Sequence, residues 1–193
     1  MTETSKKTWQ NDTGALKKRV AYLEKSNQWH LFALEILSSL GDIHGKTGLN
    51  PSPDIIFKTA RKHLKRLIRF KTAAFFTVDS SDSAFVLADC DPESDREYAR
   101  REVDRQIEKG TFAWALRQNR ALLMPSDSSR DRLLVNVMAS KSQIRGVFIG
   151  RLDKKYGKIS SECLTLISLI IHNTAHALES ATLCKLLSDQ NRD

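Results

Sequence analysis

Nine residues, CLTLISLII from Cys163 to Ile171, constrain this chain more than any other stretch. As a helix the run is apolar nearly all round, so it must be covered on more than one side. A membrane span would need roughly 20 apolar residues, so the cover has to come from the protein itself. One side can be a sheet, and the other needs a second helix. The helix carrying this run reads from Ser160 to about Leu187.

The sheet is legible where the hydrophobic period changes. TAAFFTVD and SAFVLADC are two short runs rich in Phe and Val, separated by Ser80, Ser81 and Asp82, a β-hairpin pattern. A strand is expected around Ala121 to Met124, and RLLVNVMAS and IRGVFIGRL, joined by the turn KSQ, supply two more. Strands reached by short turns pair antiparallel. The expected fold class is therefore α+β, a five- or six-stranded antiparallel sheet with the N- and C-terminal helices packed on one face.

Between the strands lie helices. Leu16, Val20, Leu23, Asn27, His30, Leu34 and Leu37 follow alternating four- and three-residue steps, a short coiled-coil pattern. Leu31, Phe32 and Ile36 beside that seam also suit packing on the helix's own domain. GDIHGKTGLNPSPD reads as a loop ending in a helix start, with Ser52 as N-cap, Pro53 at the first position and Asp54 at the positive end of the dipole. Tyr98, Val103 and Ile107 fall roughly on one face of a charged helix that Gly110 stops. The resulting organisation is a polar disordered tail (1–14), a coiled-coil-like helix (15–40), one domain (41–187) and a short tail (188–193). With 193 residues and 40% hydrophobic content, one core accounts for the chain.

A formal net charge of +8 invites a nucleic-acid reading. Lys58 to Lys71 carries seven Lys or Arg and no acid, on the face of a helix opposite Ala60, Leu64, Leu67 and Ile68. A solvated face, displaying Lys58, Arg61, Lys62, Lys65 and Arg69, is the expectation, since no helix-turn-helix, zinc-finger or RNA-binding signature accompanies it. The N-terminus has no apolar h-region. Cys90, Cys163 and Cys184 are odd in number and widely spaced, with no CxxC pair. A disulfide framework and a zinc site are thus disfavoured, and a reducing cytoplasm fits.

AAFFTVD, FVLADC, GTFAWALRQNRALLMPS, IRGVFIG and ALESATL together resemble, in order and local character, the elements of the GAF domain family of bacterial signalling sensors. The resemblance covers roughly Leu31 to Leu187. It implies that GTFAWALRQNRALLMPS covers one edge of the sheet above any ligand pocket, with Phe112 and Trp114 near it and Arg117 and Arg120 at its rim. The simpler reading has the two aromatics filling a core and the arginines solvated. In RLLVNVMAS, Leu133, Val135 and Val137 share one face, and Leu134, Asn136, Met138 and Ser140 the other. Asn136 and Ser140 suit a pocket better than a helix-packed core. The candidate ligand site is accordingly Trp114, Arg117, Asn136 and Met138, with Phe112 and Cys90 nearby.

Residue marks of several GAF activities are missing. KYGKISSE lacks the Asn-Lys-x-x-Phe-like motif of the cyclic-nucleotide branch, and no cysteine is followed by the His of many bilin-binding members. The family's free methionine-R-sulfoxide reductase uses clustered cysteines. Cys163 and Cys184 would stand about 30 Å apart on one helix. His172 and His176, one turn apart, can share an ion, but no HExxH glutamate or third ligand is evident, so a structural role is favoured and no metal site is assigned. No nucleophile elbow or phosphate loop appears. The expected function is a non-catalytic, dimerising sensory or regulatory module that signals through a protein partner, with an unknown small molecule as its ligand, or a ligand-free dimerisation scaffold. The expected domain reaches to within a few residues of the end of the given sequence, so no output domain is expected within these 193 residues. The expectation is either a stand-alone protein or the front of a longer one.

Overall fold

Alternating apolar residues become five strands in the computed structural model, which describes residues 3–46, 52–79, 81, 83–118, 120–127, 129–140, 143–155 and 159–190. They are β1 (Thr72–Val78), β2 (Phe85–Asp91), β3 (Leu122–Pro125), β4 (Arg132–Ala139) and β5 (Ile144–Leu152). The helices are α1 (Glu3–Lys46), α2 (Pro53–Leu67), α3 (Arg96–Glu108), α4 (Thr111–Gln118) and α5 (Ser161–Gln190). The strands form one antiparallel sheet in the order β2-β1-β5-β4-β3, within the expected range of five or six. The chain divides into two units, Met1–Gly41, which belongs to α1, and Asp42–Asp193, which holds the sheet.

Register decides what each face carries. Phe75 of β1 lies opposite Phe148 of β5, and Phe148 lies opposite Asn136 of β4, so these three side chains share a face. Phe57 of α2 meets Phe75 at 5.1 Å between ring centroids, and Phe148 meets Phe75 at 5.0 Å and Phe70 at 5.5 Å. The Ser168 hydroxyl of α5 reaches Asn136 on the same face. The two helices packed together over this face are α2 and α5. α3 and α4 pack on the other. CLTLISLII thereby gets the two partners it needs, β4 with β5 and α2. Cys163, Leu166, Ile167, Ile170 and Ile171 are all buried.

Local chemistry sets the helix ends. Ser52 precedes α2 with extended backbone, and its carbonyl accepts from Ile55 and Ile56 at 3.0 and 3.3 Å, while its side chain makes no capping bond. Ser160 opens α5 with a side-chain bond to the Cys163 N–H. Gly110, at φ +69°, ends α3 in the left-handed region that favours glycine. α1 differs from expectation at both ends. Its backbone is helical from Glu3, through the stretch expected as a tail, and continues past Gly41 and Gly45 to Lys46. A glycine weakens a helix by about 1 kcal/mol relative to alanine but does not forbid it. Residues 47–51 of the expected loop lie outside the described residues.

The basic face of α2 is only partly solvated. Lys58, Lys62 and Arg69 are exposed, as expected. Arg61 is not free in solvent: its guanidinium donates to both oxygens of Asp89, at 3.0 and 2.9 Å, and Lys65 pairs with Asp91. β2 supplies both acids, which the hairpin places beside the helix. No described helix is long and apolar enough to cross a membrane.

Two glycines of β5 permit the close layering. A Cβ on Gly146 would lie 1.9 Å from the Phe76 carbonyl oxygen, and one on Gly150 would lie 2.3 Å from the Phe70 ring. Gly14 in α1 has nothing within 4 Å. Gly146→Ala is expected to destabilise the fold by about 3 kcal/mol or more, since backbone cannot yield as a side chain does. Gly150→Ala should cost less, and Gly14→Ala should stabilise α1 by roughly 0.5–1 kcal/mol. Urea midpoints of the three variants check the order.

Candidate functional site

The face beneath α3 and α4 is built from alternate residues of all five strands. Ala74 and Phe76 from β1, Leu87 and Cys90 from β2, Met124 from β3, Leu133 and Val135 from β4, and Val147 and Ile149 from β5 are buried there. Ala99 and Val103 of α3 and Phe112 and Ala115 of α4 close over them. Phe112 packs edge-on against Phe85 at 5.1 Å. Phe112 thus fills a core, the simpler of the two readings of its stretch.

One edge of this layer is polar. Glu102 of α3 is 0% exposed, and its carboxylate accepts three hydrogen bonds. Gln106 Nε2 donates to Oε1 at 3.0 Å, the Asp127 backbone N–H to Oε1 at 2.9 Å, and Ser126 Oγ to Oε2 at 3.1 Å. The Tyr98 hydroxyl lies 3.0 Å from Ser126 Oγ, and Ser129 N–H donates to the same oxygen at 3.2 Å. Above the Tyr98 ring, at 4.3 Å, sits the Arg151 guanidinium, which approaches Asp95 at 3.3 Å and Asp131 at 3.6 Å. Lys71 extends the set with Asp131 at 2.9 Å and Asp153 at 3.3 Å.

This network ties the β3–β4 loop to α3 and to the ends of β1 and β5. Its carboxylates alternate with cations and donors, and Ser126 directs its hydroxyl proton at Glu102 while accepting from Ser129, so the arrangement positions a loop. Among the described residues no three His, Cys, Asp or Glu side chains gather to hold a metal ion. Glu102 and Gln106 are functional positions that no motif in the sequence marks. The available signal was the i, i+4, i+8 spacing of Tyr98, Glu102 and Gln106, which stacks them along one stripe of α3.

The six candidate residues do not form one pocket. Phe112 and Cys90 are buried in the core on the α3–α4 face. Trp114 is 54% exposed on the outer side of α4, and Arg117 is exposed beside it. Asn136 and Met138 lie on the opposite face, beneath α5. The alternation in β4 is as expected; the assignment of faces is reversed. Asn136 is acceptable in a helix-packed core because Ser168 Oγ donates to its Oδ1 at 3.0 Å and its Nδ2 donates to the Val137 carbonyl at 3.0 Å. Ser140 sits in the β4–β5 turn, bonded to the Gln143 carbonyl. Ile107, expected inward on α3, is 45% exposed, and the inward face is instead Ala99, Glu102, Val103 and Gln106.

Solved structures share this architecture over about 70% of the chain. The fold is that of GAF domains. The GAF domain of a GAF/HD protein from Geobacter sulfurreducens superposes with a TM-score of 0.56 at 18% identity, over 71% of this chain and 97% of that one. The GAF domain of a two-component sensor histidine kinase from Bacillus halodurans gives 0.53 at 16%, over 71% and 99%. A third, GAF3 of Slr1393 from Synechocystis in its photoproduct state, gives 0.56 at 11%, over 70% and 99%. No protein-family model matches the sequence, and a search of curated proteins finds no match.

In this GAF fold neither buried cysteine is poised for thiolate chemistry. Burial, aided by the Asp95 carboxylate, pushes the Cys90 thiol up to about 11, and burial alone pushes Cys163 up to about 11. Native-state alkylation near pH 8 should therefore modify Cys184, the exposed cysteine, well before the other two. Rapid labelling of Cys90 or Cys163 in folded protein would contradict this. Glu102→Gln would turn an N–H toward other donors and should destabilise the fold by about 1–3 kcal/mol. Amide exchange at Asp127 and Ser129 should accelerate in that variant, as the loop loses its anchor.

Proposed function

We propose that this chain is a sensory or regulatory module of GAF type, without catalysis of its own, that pairs with a second copy through α1 and passes its state to a protein partner. The carrying observation is the uncovered seam of α1. Leu16, Val20, Leu23 and Leu34 are 62%, 51%, 55% and 62% exposed, at the four- and three-residue steps of a coiled coil. Asn27 and His30, the polar members of the seam, are exposed as well; the Leu37 side chain lies outside the described ones. Leu16, Val20 and Ala21 form an open apolar strip on α1, flanked by Thr13, Lys17 and Glu24, against which a facing helix can pack. Asn27 at an a-type position lowers stability but favours a two-stranded parallel pairing in register, because a slipped alignment leaves its amide unpaired.

The regulatory reading is supported by the neighbours in fold, which include the GAF domain of a sensor histidine kinase and that of a GAF/HD protein. Cysteine-dependent sulfoxide reduction is disfavoured by the raised Cys90 and Cys163 thiols, which lie on separate elements. A specific nucleic-acid site on α2 is disfavoured because Arg61 and Lys65 are engaged by Asp89 and Asp91. Reduced cysteines fit a cytoplasmic location.

A second reading, a dimerising scaffold that binds no ligand, is favoured by one observation. The layer under α3 and α4 is filled by Phe76, Phe112, Met124 and their neighbours. Thermal-shift screening against nucleotides, amino acids and small carboxylates separates the two, because a specific ligand raises the melting temperature by mass action. A saturable shift supports the sensor, and none across the screen supports the scaffold.

Light scattering tests the pairing. The intact chain should run at twice its 21.9 kDa, and a form beginning near Leu31 should be monomeric at micromolar concentration. A monomeric intact chain, or an undiminished dimer after truncation, would overturn the coiled-coil pairing. Paired Leu16→Glu and Leu23→Glu substitutions should reproduce the loss of dimer without unfolding the sheet domain.

A further inference from the structure

We propose that His172 and His176 of α5 form a two-imidazole clamp for a divalent transition-metal ion of borderline softness, Zn2+ in the first place. The one-turn spacing puts both rings on one side of the helix. The structure adds that their Nε2 atoms converge, 3.1 Å apart, with the rings edge-to-face at 4.6 Å between centroids. Two imidazole nitrogens about 2.0–2.1 Å from a common ion, at tetrahedral or right-angled geometry, stand about 2.9–3.4 Å apart. The observed separation lies inside that range. Both residues are half-buried on the least covered stripe of α5, and the His176 side chain keeps 38% of its surface exposed, so an ion can reach the pair.

The surroundings select the tautomer such a clamp needs. Glu179 Oε2 lies 3.8 Å from His176 Nδ1, beyond a hydrogen bond but close enough to favour a proton on Nδ1. His176 Nε2 then carries the lone pair. Arg145 of β5 approaches the other oxygen of the same carboxylate at 3.5 Å, which holds Glu179 in place. Without an ion, His172 donates its Nε2–H to His176 Nε2. With an ion, His172 shifts its proton to Nδ1, and two neutral imidazoles face the metal with no net loss of charge from the protein. No third His, Cys, Asp or Glu joins the pair among the described residues, so water completes the coordination.

Calorimetric titration of the full chain with ZnCl2, alongside thermal unfolding, tests the clamp. The expected result is saturable binding of one Zn2+ per chain with a raised melting temperature, and no response to Mg2+, which prefers oxygen ligands. H172Q and H176Q should each weaken binding at least tenfold, and Glu179→Gln should weaken it about tenfold through lost orientation of His176. Zn2+ binding unchanged in either histidine variant, or no saturable binding to the wild type, overturns the proposal. Because a histidine variant can lose its fold, Cu2+ electron paramagnetic resonance on the unmodified chain gives an independent reading. Two equatorial imidazole nitrogens are expected at one equivalent of metal; fewer than two overturns the clamp.

Discussion

Covering both faces of one antiparallel sheet is the constraint on which the rest of this structure depends. Such sheets commonly leave one face to water, and their strands then alternate. Here β1 is buried from Thr72 to Phe76 and β4 from Leu133 to Met138, so both sets of side chains need a helical layer. The Phe57–Phe75–Phe148–Phe70 contacts fill one side, and Phe76, Phe85 and Phe112 the other. Space for the Phe70 ring exists because Gly150 carries no side chain, and Gly146 lets the Phe76 carbonyl of β1 approach β5 closely. The all-round apolar part of α5 follows from the same constraint, since it fills the angle between the sheet and α2.

Much of this was legible in the residues. The hairpin of β1 and β2, the short turn between β4 and β5, the Ser52-Pro53 helix start and the Gly110 stop each rest on local chemistry that tertiary structure does not override. The two faces of β4 were separable by alternation, but nothing local says which layer each meets. Asn136 and Ser140 looked like pocket residues because a buried amide is costly without a partner. The partner, Ser168, lies 32 residues further on in α5, beyond the reach of any local pattern. Glu102 was hidden for the same reason: its acceptor oxygens are satisfied by the β3–β4 loop. Trp114 shows the converse, a large aromatic left outward because Phe112 and Ala115 already occupy the inward positions of a helix only eight residues long.

Charge shows how far composition can mislead. A basic α2 suggested a solvated or anion-facing surface, yet the register of the first hairpin sets Asp89 and Asp91 against Arg61 and Lys65. Burial pushes the Asp89 carboxyl above its usual range, with the Arg61 guanidinium opposing but not cancelling the shift. A carboxyl whose folded value is raised gives stability that is complete below its unfolded value and is lost as pH rises through the folded one. At neutral pH this bridge therefore contributes little net stability, and its role is to fix how α2 lies against β2.

The stretch from Gly110 to Ser126 then has a structural meaning beyond covering an edge. Its middle is bonded to the sheet's other layer. The Ala121 N–H, just before β3, donates to Ser168 Oγ at 2.7 Å, and that hydroxyl has both Asn136 Oδ1 and the Leu164 carbonyl at 3.0 Å. One proton serves two acceptors, so the hydroxyl has two arrangements of similar geometry. The same stretch is anchored at its C-terminal end by Glu102 through Ser126. The start of β3, β4 and α5 are thus joined by a short, partly buried polar path. Dense apolar packing transmits displacement instead of absorbing it. In the regulatory reading, the bond from Ala121 to Ser168 is the direct polar link between the start of β3, whose Met124 packs on the α3–α4 face, and α5.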